Sequence, residues 1–286
     1  MDIREDIKEF LRTRRARITP EQAGLPAYGT NRRVKGLRRE EVAMLAGISV
    51  EYYTRLERGN AAGVSDGVIE GLVRALQLDE AERLHLADLV RAANARRPEP
   101  RPPARRRVRP TIQRILDSLV DAAAVVRNER FDILAANELG RAFYAPVFDS
   151  PYGPPNLARF CFLDPAAADF FDDWEQAADD VVAILRAAAG RDPFDRSLTD
   201  LVGQLSTRSE AFRTRWAAHD VKLHRSGVKK VHHPVVGNLE VDYEALILAA
   251  DENLRMNVYT AAPDTPTHAA LRLLASWAAS ERTASR

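Results

Sequence analysis

The sequence predicts a two-domain chain, an all-α domain followed by an α+β domain with an antiparallel sheet. Apolar residues recur at helical spacing through the first ninety positions. A Pro- and Arg-rich stretch from Ala95 to Pro110 then interrupts them, and alternating β patterns return with long helices between them. A length of 286 residues suits two domains, and a hydrophobic content of 45% supplies two packed cores, which excludes a disordered chain.

Five helices are expected in the first domain: Arg4 to Arg15, Leu37 to Ala46, Val50 to Arg58, Asp66 to Leu76 and Glu80 to Asn94. The breaks between them fall at Pro20 to Gly36, Gly47, Gly59 to Gly63 and Gln77 to Asp79. Ala95 to Pro110 holds five prolines and seven arginines and cannot continue a helix. It reads as an extended, charge-stiffened linker, with boundaries at 96–109.

After a helix from Thr111 to Leu119, two short strands are expected, Ala123 to Arg127 and Phe131 to Ala135, turning at Asn128 to Arg130. Ten of the twenty aromatic residues crowd between Phe131 and Trp174, which predicts a buried aromatic cluster. A single long helix from Ala166 to Ala189 follows, then helices at Leu198 to Leu205 and Glu210 to Leu223. Strands Val228 to Val236 and Leu239 to Leu248 flank Gly237-Asn238, read as a two-residue hairpin turn. A third strand, Leu254 to Thr260, and a final amphipathic helix, Ala269 to Ala279, complete the domain and place the helix on the sheet or against a second subunit.

Formal charge is asymmetric. Residues 1–109 carry 23 Lys/Arg against 16 Asp/Glu, so a chain of net +1 is strongly positive at one end and negative in the remainder. Between Arg12 and Arg39 nine basic residues face only Glu21, which on charge alone reads either as a surface that meets a polyanion or as a solvated basic face. MDIREDIKEF lacks the apolar core of a signal peptide, and no apolar run approaches the length of a membrane span of about 18 residues. The single cysteine, Cys161, excludes an internal disulfide and a multi-cysteine zinc site within one chain. A cytoplasmic location is the expectation.

The most informative motif is LRREEVAMLAGISVEYYTRLERG, Leu37 to Gly59. Val42, Ala43, Ala46, Ile48, Tyr53 and Leu56 fit two short helices meeting at a sharp turn, where Gly47 would avoid a clash with the backbone. Ser49 is placed to cap the second helix, and Glu51 complements its dipole. With Tyr53 and Leu56 inward, Glu51, Arg55 and Arg58 face outward, with Tyr52 and Thr54 beside them. Arg55 is the best base reader because its planar fork matches guanine O6 and N7; an ion pair with Glu51 is its alternative.

Together with RTRRARITPEQAGLP, FDILAAN, FLDPAA and HDVKLHRSGVKKVHHPVVGNLEVDYE, this motif resembles the XRE-type helix-turn-helix regulators that carry an MmyB-like ligand-binding domain. The resemblance covers nearly the whole chain. It implies a λ-repressor-like five-helix domain over 1–95, a PAS-like ligand-binding domain over 110–265, a C-terminal helix and tail over 266–286, and action as a dimer. It places Val50, Glu51 and Arg55 at bases and Arg32, Arg33, Lys35, Arg38 and Arg39 at the DNA backbone, to which the outward face of the second helix adds Tyr52 as a base contact and Arg58 as a backbone contact. It also implies a sensor for an apolar or acyl-chain molecule, for which Phe143, Tyr144, Phe160, Phe162, Phe170, Trp174 and His233 are the candidate lining, unless those aromatics are plain core.

No cofactor or metal is implied. His219, His224, His232 and His233 raise zinc binding or general-base chemistry, but on a strand His232 and His233 point to opposite faces. No Gly-rich phosphate loop, nucleophile elbow or His-Glu-x-x-His pattern occurs, so a non-enzymatic protein is expected. The expected partners are an operator in double-stranded DNA, an inverted repeat bound by a homodimer, and a small apolar ligand, with no membrane. The competing readings are a purely structural C-terminal dimerisation domain and a protein-binding adaptor.

Overall fold

The computed structural model describes residues 2–26, 34–95, 108–221, 226–251 and 253–284, the last four of these by backbone alone. Arg32, Arg33, His224, Arg225 and the linker residues 96–107 lie outside that description. The chain divides into two compact units. One comprises residues 1–100 with 182–200 and 214–223; the other comprises 101–181, 201–213 and 224–286.

The first unit is built on five helices, α1 (Ile3–Arg17), α2 (Arg39–Ala46), α3 (Val50–Glu57), α4 (Asp66–Ala75) and α5 (Glu80–Asn94). Their inner faces carry Ile7, Phe10 and Leu11 from α1, Val42 and Ala43 from α2, Tyr53 and Leu56 from α3, Leu72 from α4, and Leu86 and Leu89 from α5 into one core. The helix starts are chemically specified. Asp2 accepts from the Arg4 amide at 3.0 Å, Ser49 from the Tyr52 amide at 3.1 Å, and Asp79 exchanges bonds with Glu82 in a capping box.

Gly71 lets α4 approach α2, since a Cβ there would lie 2.4 Å from the Ala46 carbonyl oxygen. Gly47 is needed for a different reason from the one its motif suggests. A Cβ at Gly47 would meet nothing within 4 Å, so glycine is favoured there by the left-handed φ of 70° and not by a clash.

The unit also buries charge. Arg14 on α1 lies 2.9 Å from Glu82 and donates to the His219 carbonyl at 2.6 Å. Arg186 donates to Asp6 at 2.9 Å, with its guanidinium 3.8 Å from the centre of the Trp216 ring. His85, on α5, is edge-on to Phe10 at 5.2 Å, and a Cβ on Gly190 would lie 2.6 Å from its Nδ1. Burial, then the neighbouring Arg186 and His219, push the His85 imidazole down to about 3.

The second unit is built on an antiparallel sheet of β1 (Ala123–Asn128), β2 (Ile133–Ala136), β3 (Ser226–His233), β4 (Gly237–Ile247) and β5 (Leu254–Thr260), in the order β2-β1-β5-β4-β3. Registers run Val125↔Asn257, Tyr243↔Tyr259 and Val231↔Leu239. Every residue of β1 is buried, because helix α6 (Pro110–Ser118) sets Ile112 and Leu116 on Ala124, Val126 and Met256 while the aromatic cluster covers the other face. On β4 the alternation is plain: Leu239, Val241, Tyr243 and Ala245 go in, and Glu240, Asp242 and Glu244 go out. Helix α14 (Pro266–Ala284) packs against β4, burying Leu271 and Leu274.

Between β2 and β3 lie α7 (Glu138–Phe143), α8 (Ala145–Phe148), α9 (Leu157–Leu163), α10 (Ala166–Phe170), α11 (Trp174–Arg191), α12 (Arg196–Arg208) and α13 (Glu210–Ala217), and the boundary between the units falls within α11, α12 and α13.

Two expectations are corrected here. The single helix from Ala166 to Ala189 is broken at Phe171–Asp173, because Phe171 pairs with Val231 on β3 and Asp173 restarts the helix by accepting from the Gln176 amide at 2.9 Å. The hairpin between β3 and β4 is closed by Pro234, Val235 and Val236, with His232 opposite Asn238 and His233 opposite Gly237. Gly237, at φ 74°, is the left-handed residue that returns the chain to the ladder after a three-residue loop.

Candidate functional site

Helices α2 and α3, joined through Gly47, present one outward surface. Because Tyr53 and Leu56 are fully buried, the opposite side of α3 is free, and Val50, Glu51, Thr54, Arg55 and Arg58 line a concave patch with Asn60. The structure therefore brings three of the four expected base readers, Val50, Glu51 and Arg55, to one surface. Tyr52 serves differently: its ring lies 4.7 Å beneath the Arg55 guanidinium, a platform that restrains the longer side chain. No Arg55–Glu51 ion pair forms among the described residues, so the guanidinium edge keeps its donors for an incoming acceptor.

Arg39 stands at the start of α2, about half exposed, with its Nε bonded to Glu57 Oε2. The other oxygen of Glu57 accepts from Arg15 Nε at 2.5 Å, and Arg15 also donates to the Leu37 carbonyl at 2.9 Å. Glu57 is thus a carboxylate only 3% exposed that holds two cations and leaves the outer nitrogens of Arg39 toward solvent. Burial, with the Glu57 charge, also holds the Tyr53 phenol well above its ordinary range.

Lys35, two residues before the motif, and Arg38 and Arg58 within it are exposed, and Arg38 pairs loosely with Glu40 at 3.6 Å. Glu57 and Asn60 escaped the sequence reading. An acidic residue four after Tyr53 on an inward stripe, in a basic segment, was the available signal for Glu57.

In the second unit the candidate lining residues come together as mutually packed rings. Phe143 is edge-on to Tyr144 at 4.9 Å and stacked on Tyr259 at 5.1 Å, and Phe170 joins Phe143, Tyr144 and Phe160 at 5.7 to 6.4 Å. Phe162 belongs to a separate group with Trp174 at 6.1 Å and Phe212 at 5.1 Å. Trp174 is only half-buried and donates through Nε1 to the Cys161 carbonyl at 2.8 Å. The Tyr144 hydroxyl donates to that of Tyr259 at 2.7 Å.

His233 is fully buried: its Nδ1 accepts from the Val235 amide at 3.2 Å, which leaves Nε2 to donate to the Ala142 carbonyl at 3.0 Å. His232 points to the opposite, exposed face, as strand geometry requires, and bonds Asn238 at 2.7 Å. Tyr259, Phe171 and Arg127 complete the cluster and were not anticipated. Arg127 lies 4.4 Å over Phe131 and donates to the Asn128 carbonyl at 3.2 Å; complete burial lowers its pKa.

A helical unit in which the outer face of α3 is left open, coupled in one chain to an α+β unit, defines a class of two-domain helix-turn-helix proteins. A family model described as "Helix-turn-helix domain" matches residues 9–86. A second, "MmyB-like transcription regulator ligand binding domain", matches residues 108–274, more than half of the chain, and the chain belongs to that family. The two matches make it a transcription regulator with a ligand-binding domain. No curated protein matches the chain. No helix among the described residues is long and apolar enough to cross a membrane.

Proposed function

We propose that the protein is a sequence-specific DNA-binding regulator. In this reading α3 enters the major groove, and the C-terminal domain binds a small apolar, acyl-chain ligand. The observation that carries the DNA half is the outer face of α3, where Arg55 is braced by Tyr52 and faces no carboxylate. Arg55 reads guanine, and Val50, Glu51 and Tyr52 flank it. Lys35, Arg38, Arg39 and Arg58, with Arg32 and Arg33 outside the described residues, neutralise phosphates. One such helix reads few bases, so the protein acts as a homodimer on an inverted repeat with half-sites about one helical turn apart, in the cytoplasm and without catalysis.

The antiparallel strand order β2-β1-β5-β4-β3 supports a PAS-like sensor. A purely structural dimerisation domain is favoured by one observation, that the candidate rings pack on one another. Two measurements test the whole. Affinity for an operator selected from random duplexes falls steeply with salt if α3 and its basic surround meet DNA; an apolar protein contact is insensitive. Mass spectrometry of the purified protein then shows a bound acyl molecule, or its absence favours the structural reading.

A further inference from the structure

The concave patch on α3 contains one residue whose place local stability does not explain. Val50 is 41% exposed at the first position of the helix, beside an N-cap serine. A β-branched apolar side chain gains little there: it has poor helix propensity, buries little surface, and occupies a turn where acidic residues or proline are favoured. It can neither accept from nor donate to a phosphate or a base edge. Met44, the other strongly exposed apolar residue of the motif, is 62% exposed but is not among the residues lining the patch. Val50 therefore brings an apolar surface of about methyl size into a patch otherwise lined by Glu51, Thr54, Arg55, Arg58 and Asn60.

We infer that Val50 is a specificity residue that packs on the C5-methyl group of a thymine. This deepens the DNA-reading proposal and rests on it. The thymine methyl is the one apolar feature on the floor of the major groove, and an aliphatic side chain tells it from cytosine and from both purines. Spacing along α3 sets the register. Val50 and Arg55 are five residues apart, about 7.5 Å along the axis, which is about two steps of DNA rise. Each half-site thus carries a thymine about two base pairs from the guanine read by Arg55.

The test uses the full-length protein. Operator sites are enriched from a random duplex pool, and each thymine of the enriched half-site is replaced in turn by uracil, which removes only the methyl. One replacement, within about three base pairs of the guanine whose preference Arg55→Ala relaxes, weakens binding about fourfold, the worth of one buried carbon. Val50→Ala binds thymine and uracil operators equally while keeping the guanine preference and the salt slope. An enriched site on which every uracil replacement is neutral overturns this inference alone, as does a Val50→Ala protein that keeps full sensitivity to the methyl. Failure to enrich any sequence overturns the DNA-reading proposal and this inference with it.

Discussion

Replacing Glu57 by glutamine tests whether the outer surface of α2 and α3 is held from beneath. Glu57 is 3% exposed and its two oxygens serve two cations, Arg15 at 2.5 Å and Arg39, whose side chains are 15% and 53% exposed. Glutamine keeps the shape but removes the charge and turns one acceptor into a donor that faces a guanidinium. The Arg39 bond, being half solvated, contributes about 0.5 kcal/mol or less. The Arg15 bond is sheltered, and breaking a buried pair costs roughly 3–5 kcal/mol when the remaining charge is stranded.

Arg15 keeps the Leu37 carbonyl at 2.9 Å, so its charge is only partly stranded and the expected loss is about 2 kcal/mol. Urea denaturation of the full-length protein reads that loss, and a double-mutant cycle assigns most of the coupling to Arg15–Glu57 rather than to Arg39–Glu57. The same substitution loosens Arg39 but keeps its charge, so the dependence of log affinity on log salt becomes shallower by less than the one unit that loss of the cation would give. Unchanged stability would refute the claim that Glu57 anchors α3 to α1. Reduced stability with an unchanged salt slope would refute its role in placing Arg39.

Three further outcomes are expected. Arg55→Ala costs roughly 1–3 kcal/mol per half-site and relaxes preference at one base pair, whereas Lys35→Ala weakens all sequences alike; binding across operator variants and salt concentrations separates the two, and uniform loss for Arg55→Ala would make it a phosphate contact. Stability falls as pH drops below about 6.5, because the unfolded chain protonates His85 whereas the folded imidazole, pushed down to about 3, resists. Its slope approaches about 1.4 kcal/mol per pH unit between those values and vanishes above pH 7. His85→Leu lessens the slope of urea midpoints between pH 5.5 and 7 without abolishing it, because burial also pushes His219 down to about 3, and an unchanged slope would remove His85 as a cause. Arg127→Met leaves the urea midpoint unchanged or higher, since it removes a buried guanidinium that faces no carboxylate at ion-pair distance among the described residues. A loss above about 2 kcal/mol would show that its bond to Asn128 and its contact with Phe131 outweigh desolvation.

The helices of the first unit were readable because their information is local. Apolar spacing at 3.6 residues identified the stripes of α1 to α5, and Ser49 capped α3 where its hydroxyl could reach an amide three residues on. The outward face of α3 followed from the inward positions of Tyr53 and Leu56 by rotation alone. The aromatic segment was recognised as buried, yet its division into α7 to α10 was not, since helices of four to seven residues carry too little periodicity to show.

Sequence by itself thus determined the two domains, the basic character of the first, the turn at Gly47 and the residues that α3 presents. Tertiary structure alone decided what depends on partners far along the chain. Phe171 leaves the helical pattern because Val231 offers it a strand to pair with. Glu57 lies beneath the outer surface of α2 and α3 because the fold carries Arg15 from 42 residues away to one oxygen and Arg39 to the other. Residues 182–200 and 214–223 belong with the first hundred because Arg186 finds Asp6, and Arg14 finds the His219 carbonyl. Periodicity reports which face of an element is buried, whereas the identity of the group waiting there is a property of the assembled chain.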